Sequence, residues 1–285
     1  MQISDIISET DDIDAKRIAL VQKDPEYIRN MENPSLAVQL ATVKMLGTAI
    51  RWIDNPSLDV QLAAVKQYSA SIQYIKYPSI QVQLAALDLN YANIAFIQNP
   101  SEKIQLYVVS RDGNMLQFIK NPSAAVQLAA VNNDPFAIEY IKNPSEEIQL
   151  VSVTKDPYTI TEIPNPSLAV QTAAITTAPY SLKFINNPSE EMQLLAVNKD
   201  GYIVEYIPNP SAEVQLASVR QDPRSICYIN DPTRQSTMVA ILGMFELPPN
   251  KFLTEMIEDQ LKRIHLLHPE WDDLQVIADD LNITL

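Results

Sequence analysis

Apolar residues recur along the chain with a fixed period of 22 residues. Each period contains an apolar cluster with helical spacing, followed by a shorter apolar group, as in Val126–Val131 and then Ile138 and Ile141. A fixed period of about 20 to 50 residues is typical of solenoid proteins. One such unit is too small to bury its own apolar face, so neighbouring units must stack. The pattern predicts an all-α solenoid of about ten two-helix repeats with helical caps at both ends.

Proline marks the register of these repeats. Ten of the 20 prolines are spaced 22 residues apart, eight of them in Asn-Pro-Ser triplets. Numbered from the residue before that proline, the repeats begin at residues 33, 55, 77, 99, 121, 143, 165, 187, 209 and 231. We expect Asn at position 1 to be the N-cap of the first helix and Pro its first residue. Asp at position 14, followed by Pro or Gly, predicts a second helix of about seven residues, partly 3₁₀.

The two ends depart from the regular repeat. We expect residues 1–32 to form an N-terminal cap with a degenerate first repeat, residues 33–241 the regular solenoid, and residues 242–285 a C-terminal cap. The last region contains two amphipathic helical segments after a Pro-Pro break. A terminal cap covers the apolar end of the last repeat. These C-terminal helices are also candidates for a homodimer interface.

Charge and composition exclude several classes of protein. The chain carries 35 acidic and 21 basic residues, a net charge of −14, which argues against direct nucleic-acid binding. Residues 1–32 have 8 acidic and 4 basic side chains and residues 231–285 have 10 and 4, while the middle is nearly balanced with 17 and 13. No apolar run reaches the length of a membrane helix and no leader segment opens the chain, so we expect a cytoplasmic protein without membrane contact.

Signals for catalysis or metal binding are weak. The single cysteine, Cys227, has no histidine nearby in sequence and is interpreted as a plain thiol. His265 and His268 are three residues apart, but we expect the His268-Pro269 step to end the helix between them and to spoil a metal site. Four glycines leave no phosphate-binding loop. The sequence therefore predicts no metal, no cofactor and no enzymatic activity.

The repeat resembles two kinds of short-period helical repeat. The run Ala196-Val197-Asn198-Lys199-Asp200-Gly201-Tyr202 is similar to the uncharacterised "AV…DG…" repeats of bacterial and large-virus or phage proteins. The alternation of a longer and a shorter helix also resembles the leucine-rich-repeat variant, although Gln replaces the usual Arg at position 7. The resemblance covers about residues 11–241. It implies a superhelix in which α-helices alternate with 3₁₀ helices, in a bacterial or phage setting.

Position 7 is Gln in nine successive repeats. A partly buried amide needs partners for its donor and acceptor groups. We expect each Gln to bind the backbone of a turn between helices and so to form a structural ladder; the alternative is a polar track that reads a ligand. The residues are Gln39, Gln61, Gln83, Gln105, Gln127, Gln149, Gln171, Gln193 and Gln215.

Binding faces of repeat proteins are usually built from variable positions, here positions 4, 5, 12, 13, 16, 17, 19 and 22. Position 16 is aromatic in four consecutive repeats, at Phe136, Tyr158, Tyr180 and Tyr202. Aromatic residues are enriched at binding hot spots, so these four are the candidate partner-binding residues. The alternative is that they pack against the second helix of the next repeat.

These observations favour a non-enzymatic repeat scaffold that binds a protein partner. The resemblance implies a bacterial or phage protein that binds and inhibits a host or defence factor. Two alternatives remain open. One is an acidic nucleic-acid mimic that blocks a DNA- or RNA-binding protein, and the other is a structural protein that assembles through end-to-end contacts.

Overall fold

The computed structural model describes residues 3–248 and 251–280, with side chains for residues 13–248 and 252–280. α-Helices alternate with six-residue 3₁₀ helices (η) through the repeats, and this described part of the chain contains no β-strand. The predicted all-α solenoid of two-helix repeats is confirmed. The chain divides into two compact units, Met1–Lys142 and Asn143–Leu285.

Within its described residues, the first unit contains six pairs of one α-helix and one 3₁₀ helix. Its α-helices are α1 Ile3–Lys23, α2 Leu36–Met45, α3 Leu58–Gln67, α4 Ile80–Leu89, α5 Glu102–Val109 and α6 Ala124–Asn133. Its 3₁₀ helices are η1 Pro25–Asn30, η2 Gly47–Trp52, η3 Ser69–Tyr74, η4 Tyr91–Phe96, η5 Gly113–Phe118 and η6 Pro135–Tyr140.

The described part of the second unit contains four such pairs and three further α-helices. Its α-helices are α7 Glu146–Lys155, α8 Leu168–Thr177, α9 Glu190–Val197, α10 Ala212–Gln221, α11 Arg234–Phe245, α12 Lys251–Leu267 and α13 Asp272–Asp280. Its 3₁₀ helices are η7 Pro157–Glu162, η8 Pro179–Phe184, η9 Gly201–Tyr206 and η10 Pro223–Tyr228.

The core follows from the two helical periods. In the α-helices positions 6, 10 and 11 are buried, as at Val126, Ala130 and Val131, each 0% exposed. A 3₁₀ helix has three residues per turn, so positions 18 and 21 share one face, and Ile138 and Ile141 are buried there. Each fully buried side chain of this size contributes about 1.5–3 kcal/mol. Positions 8 and 9 stay half-buried, so the α-helices are covered less completely than their all-round apolar pattern suggests.

The predicted N-cap of the α-helices is wrong by two positions. Ser at position 3 is the N-cap, as at Ser123, whose Oγ accepts a hydrogen bond from Val126 N at 3.3 Å. Among the described residues, seven of the eight Asn at position 1 instead have a positive φ, for example 50° at Asn121. Asn is one of the few L-residues that tolerate this left-handed conformation. It reverses the chain direction before the helix begins, and Pro lies between the two.

The predicted start of the second helix is confirmed. Asp134 at position 14 is the N-cap of η6, and its Oδ1 accepts from Phe136 N at 2.9 Å. Asp24, Asp112, Asp156, Asp200 and Asp222 cap their 3₁₀ helices in the same way. The helix is 3₁₀ along its whole length, because six residues between two turns suffice for i to i+3 bonds but leave few for an α-helix.

Position 15 determines how a repeat meets the next one. Gly113 N donates to Asn133 Oδ1 at 2.8 Å, and a Cβ at Gly113 would lie 2.5 Å from Ala130 O. The same bond joins Gly47 to Gln67 at 2.7 Å and Gly201 to Gln221 at 2.6 Å. The five prolines at position 15 have no N–H, and the residues twenty positions later carry no amide side chain: Met45, Lys155, Thr177, Lys199 and Gly243. Donor and acceptor therefore occur together or not at all at these eight junctions, whereas Ser69 and Tyr91 at position 15 have an N–H and are followed twenty residues later by Leu89 and Arg111.

Variation at position 17 does not mean exposure. In the repeats of residues 33 to 230, eight of the nine side chains there are buried and Met115 is half-buried; several are polar and pair with position 10 of the same repeat. Ser152 Oγ lies 2.7 Å from Thr159 Oγ1, and Ser218 Oγ lies 2.6 Å from Ser225 Oγ. The expectation that position 17 is free for binding is wrong, because its side chain fills the space between the two helices of the repeat.

The described segments nearest the two ends of the chain are helical. Residues 3–23 form one continuous helix, and the predicted boundary between residues 241 and 242 falls inside α11. In the second unit, Arg263 Nη2 of α12 donates to Ile226 O of η10 at 3.0 Å. Leu261 and Ile264 on the same helix are fully buried. The remaining parts of the predicted caps, residues 1–2, 249–250 and 281–285, lie outside the described residues.

Candidate interaction surface

The four predicted aromatic residues lie at the same point of their repeats, directly after the first residue of a 3₁₀ helix. Phe136 belongs to the first unit and is 39% exposed. The other three belong to the second unit, where Tyr158 is 45% exposed and Tyr180 and Tyr202 are half-buried. Each ring therefore presents part of its surface to solvent.

In the second unit each of these tyrosines contacts the aromatic residue at position 20 of the following repeat. The ring centroids of Tyr158 and Phe184 are 5.9 Å apart with an interplanar angle of 82°. Two further pairs repeat this edge-to-face arrangement: Tyr180 with Tyr206 (4.8 Å, 73°) and Tyr202 with Tyr228 (5.6 Å, 78°). The packing alternative is thus realised for these three residues. It leaves the partner-binding prediction untested, because rings on both sides of each pair stay partly exposed.

A lysine lies within this set of rings. Lys183 Nζ is 4.1 Å from the ring centroid of Tyr180 and 4.7 Å from that of Phe184. The hydroxyls of Tyr180 and Tyr206 are 2.7 Å apart. This hydrogen bond, with help from Lys183, lowers the pKa of Tyr180, and the same bond raises the pKa of Tyr206. The polar edges of the rings are thereby held in fixed positions at the surface. We call the six residues Tyr158, Tyr180, Phe184, Tyr202, Tyr206 and Tyr228 the paired aromatic surface.

The glutamines at position 7 share one hydrogen bond. In all nine repeats Nε2 donates to the carbonyl of Pro at position 2 of the same repeat, at 2.8–3.1 Å. Gln215 also bonds to the next repeat, since its Oε1 accepts from Thr233 N at 2.7 Å and its Nε2 donates to Asp231 O at 3.2 Å. The predicted structural ladder requires such bonds, because the side-chain amide of each Gln donates to a backbone carbonyl of the turn that precedes its helix.

Aromatic residues at position 20 are exposed as well, although the sequence pattern did not mark them as candidate binding residues. In the first unit Tyr74, Phe96 and Phe118 are 37%, 43% and 40% exposed. The sequence shows that aromatic residues recur at position 20. The three-residue period of the 3₁₀ helix is what shows that position 20 cannot share the buried face of positions 18 and 21. Clefts of about 580 Å³ and 530 Å³ lie beside these rings. A cleft of about 540 Å³ lies at the corresponding place in the second unit, beside Tyr206 and Tyr228.

Among the residues considered for chemistry, His268 is held by structural contacts. The imidazole of His268 stacks on Trp271 at 3.9 Å, and its Nε2 is 3.0 Å from Asp231 Oδ1. Cys227 is half-buried, and burial raises the pKa of its thiol. Within the described ranges, no group of three or more His, Cys, Asp or Glu side chains is arranged to hold a metal ion.

Comparisons with protein-family models, with curated proteins and with solved structures gave no match. In the part of the chain that the structure describes, no helix is both long and apolar enough to cross a membrane. The repeat resemblance therefore stays a prediction.

Proposed function

We propose that the protein is a non-enzymatic repeat scaffold that binds a protein partner through the paired aromatic surface. The observation that carries this proposal is the repetition of the same half-exposed, edge-to-face ring pair in consecutive repeats. Tyrosines with two restricted torsions present a large contact area at a low cost in conformational entropy. Because the pairs hold the rings in place before binding, a partner meets a preorganised surface.

The charge distribution favours this role over the nucleic-acid mimic. A mimic of a duplex needs carboxylates along the repeats, but the acidic excess is concentrated in residues 1–32 and 231–285. The paired aromatic surface also includes the cation Lys183. We include in the proposal that the partner is a host or defence factor in a bacterial cytoplasm, which the protein inhibits. This part of the proposal is supported by the repeat resemblance alone.

Assembly is a second candidate, favoured by the C-terminal helices. Phe252, Leu266 and Val276 on α12 and α13 are 69%, 83% and 60% exposed. Large exposed apolar side chains on two successive helices are the features that an interface between copies would cover. A homodimer through these helices would be compatible with partner binding by the repeats.

The binding proposal is tested with the variant Tyr158→Ser, Tyr180→Ser, Tyr202→Ser. Tagged wild-type and variant chains are compared in quantitative affinity purification from the native cell, followed by a titration of each purified prey. We expect Kd to rise at least about tenfold, because aromatic hot spots each contribute more than about 1 kcal/mol.

The matched control is Tyr27→Ser with Tyr68→Ser, two tyrosines that are 41% and 52% exposed and lie outside the paired surface. Circular dichroism verifies that both variants are folded. Ala70 and Ala92 occupy position 16 in other repeats, so loss of the rings is compatible with the fold. Unchanged affinity of the folded triple variant would remove the proposal.

A further inference from the structure

Two adjacent clefts in the first unit share a lining of aromatic, amide and lysine side chains. One lies beside Tyr74 and Phe96 and the other beside Phe118, and both include Gln98 and Asn99. The lining of the first contains Lys76 and that of the second contains Lys120, and neither lining contains an acidic residue. In a chain with a net charge of −14, two neighbouring clefts without a carboxylate form a distinct local environment.

The corresponding cleft of the second unit has the opposite charge. It has the same aromatic position, occupied by Tyr206 and Tyr228, but Pro208 and Asn230 stand at position 22 where the first-unit clefts have lysine, and Glu205 and Asp231 line it as well. Aromatic walls therefore occur in clefts of both units, whereas lysines line the two first-unit clefts and carboxylates line this second-unit cleft. This contrast indicates an anionic ligand for the first-unit clefts and provides an internal control.

The spacing of the clefts selects the conformation of a ligand. Consecutive helical repeats pack at about 8–10 Å. A polyproline II helix has three residues per turn and rises about 3.1 Å per residue, so residues i and i+3 face one side about 9 Å apart. A β-strand alternates its side chains, so its residues i and i+3 face opposite sides. Successive turns of a polyproline II peptide can thus place one residue in each cleft.

The polar groups of the clefts match the same conformation. Polyproline II has no internal hydrogen bonds, so its carbonyls need external donors. Gln98 lines both clefts, its side chain is exposed, and within the described part of the chain its amide has no hydrogen-bond partner. An α-helical ligand would already have satisfied its own carbonyls.

We propose that these two clefts bind an acidic, proline-rich segment of a partner protein in the polyproline II conformation. Prolines at every third position would contact Tyr74, Phe96 and Phe118, in the manner of aromatic-lined grooves that recognise such peptides. Carboxylates on the neighbouring stripe of the peptide would face Lys76 and Lys120, and Gln98 would donate to a peptide carbonyl. This inference rests on the proposed binding role but uses other residues than the paired aromatic surface, so either can fail without the other.

The test is fluorescence anisotropy of the full chain with labelled (Glu-Pro-Pro)₄. We expect saturable binding that weakens as salt is added, because the ion pairs are exposed and screened. The double variant Phe96→Ala with Phe118→Ala should raise Kd at least about tenfold. The double variant Lys76→Glu with Lys120→Glu should also raise Kd at least about tenfold, although it leaves the aromatic side chains unchanged. Tyr206→Ala with Tyr228→Ala, the matched change in the acidic cleft, should leave Kd within about twofold.

Three control ligands separate the contributions. (Glu-Ala-Ala)₄ keeps the charge and period without proline, (Lys-Pro-Pro)₄ reverses the charge, and a uridylate dodecamer supplies a polyanion that can stack on aromatic rings. We expect each to bind at least about tenfold more weakly than (Glu-Pro-Pro)₄. Equal binding of the alanine peptide or the oligonucleotide, loss of binding only in the Tyr206 and Tyr228 variant, or no saturable binding of (Glu-Pro-Pro)₄ would each overturn the proposal.

Discussion

At the residue scale, the pairing between position 15 of one repeat and position 13 of the next is the most specific feature of the chain. Gly113 brings its N–H close to the following helix, and Asn133 accepts that hydrogen bond while its Nδ2 donates to Ser110 O at 3.1 Å. A buried N–H without a partner costs about 1–3 kcal/mol. Proline at position 15 avoids this cost by having no N–H, so the acceptor is then unnecessary.

A double-mutant cycle tests this pairing. Asn133→Lys should lower the free energy of unfolding by about 1–2 kcal/mol, because Gly113 N loses its acceptor. Gly113→Pro in the same chain removes that donor and recreates the Pro and Lys found at Pro135 and Lys155. The double variant should therefore recover about 1 kcal/mol relative to additivity, measured by urea denaturation. Strictly additive losses would show that the two positions are independent.

At the element scale, the turn before each α-helix explains what sequence reasoning missed. Asn, Pro and Ser are all frequent at helix starts, so the triplet alone does not distinguish Asn from Ser as the N-cap. The structure separates them by backbone conformation, with φ 50° at Asn121 and the extended φ of −64° at Ser123. Periodicity sufficed to predict the repeats, the Asp caps and the buried positions 18 and 21. The 3₁₀ geometry and the exposed position 20 depend on hydrogen-bond registers that composition does not reveal.

The left-handed Asn predicts an asymmetric response to substitution. Asn121→Gly should change the free energy of unfolding by no more than about 0.5 kcal/mol, whereas Asn121→Val should lower it by about 1–3 kcal/mol, because a β-branched residue is strained at positive φ. Thermal and urea unfolding measure both changes. Tyr77→Val is the control, since Tyr77 occupies position 1 in a repeat where the described backbone does not have a positive φ. Equal effects of Val at both sites would contradict the explanation.

At the scale of the whole molecule, the candidate site was only partly predictable. The recurrence of aromatic residues at position 16 located Tyr158, Tyr180 and Tyr202, but their partners at position 20 of the next repeat depend on stacking between repeats. The difference in charge between the clefts of the first and second units also needs three-dimensional grouping. Lys76 and Lys120 are 44 positions apart in sequence and lie at adjacent clefts.

The assembly proposal makes a prediction at this scale. Light scattering of the wild-type chain over a range of concentrations should show a mass that rises towards twice 32.0 kDa. Leu266→Glu should keep the mass at that of one chain, because a charge on each copy would face its symmetry mate. Leu168→Glu, at a side chain that is 67% exposed on a repeat, should leave the association unchanged. A single-chain mass for the wild type at every concentration would remove the homodimer.

The two kinds of junction also restrict how such a chain can gain or lose repeats through recombination. Removing residues 121–142 would preserve the 22-residue period. It would, however, place Gly113 before a repeat that carries Lys155 instead of Asn133, so the N–H of Gly113 would lose its acceptor. Removing residues 143–164 would place Pro135 before the repeat that carries Thr177, which is a combination of the proline type. Exchange between repeats with proline at position 15 therefore leaves no such N–H without its acceptor, and we expect insertions and deletions in its lineage to be concentrated where proline occupies position 15.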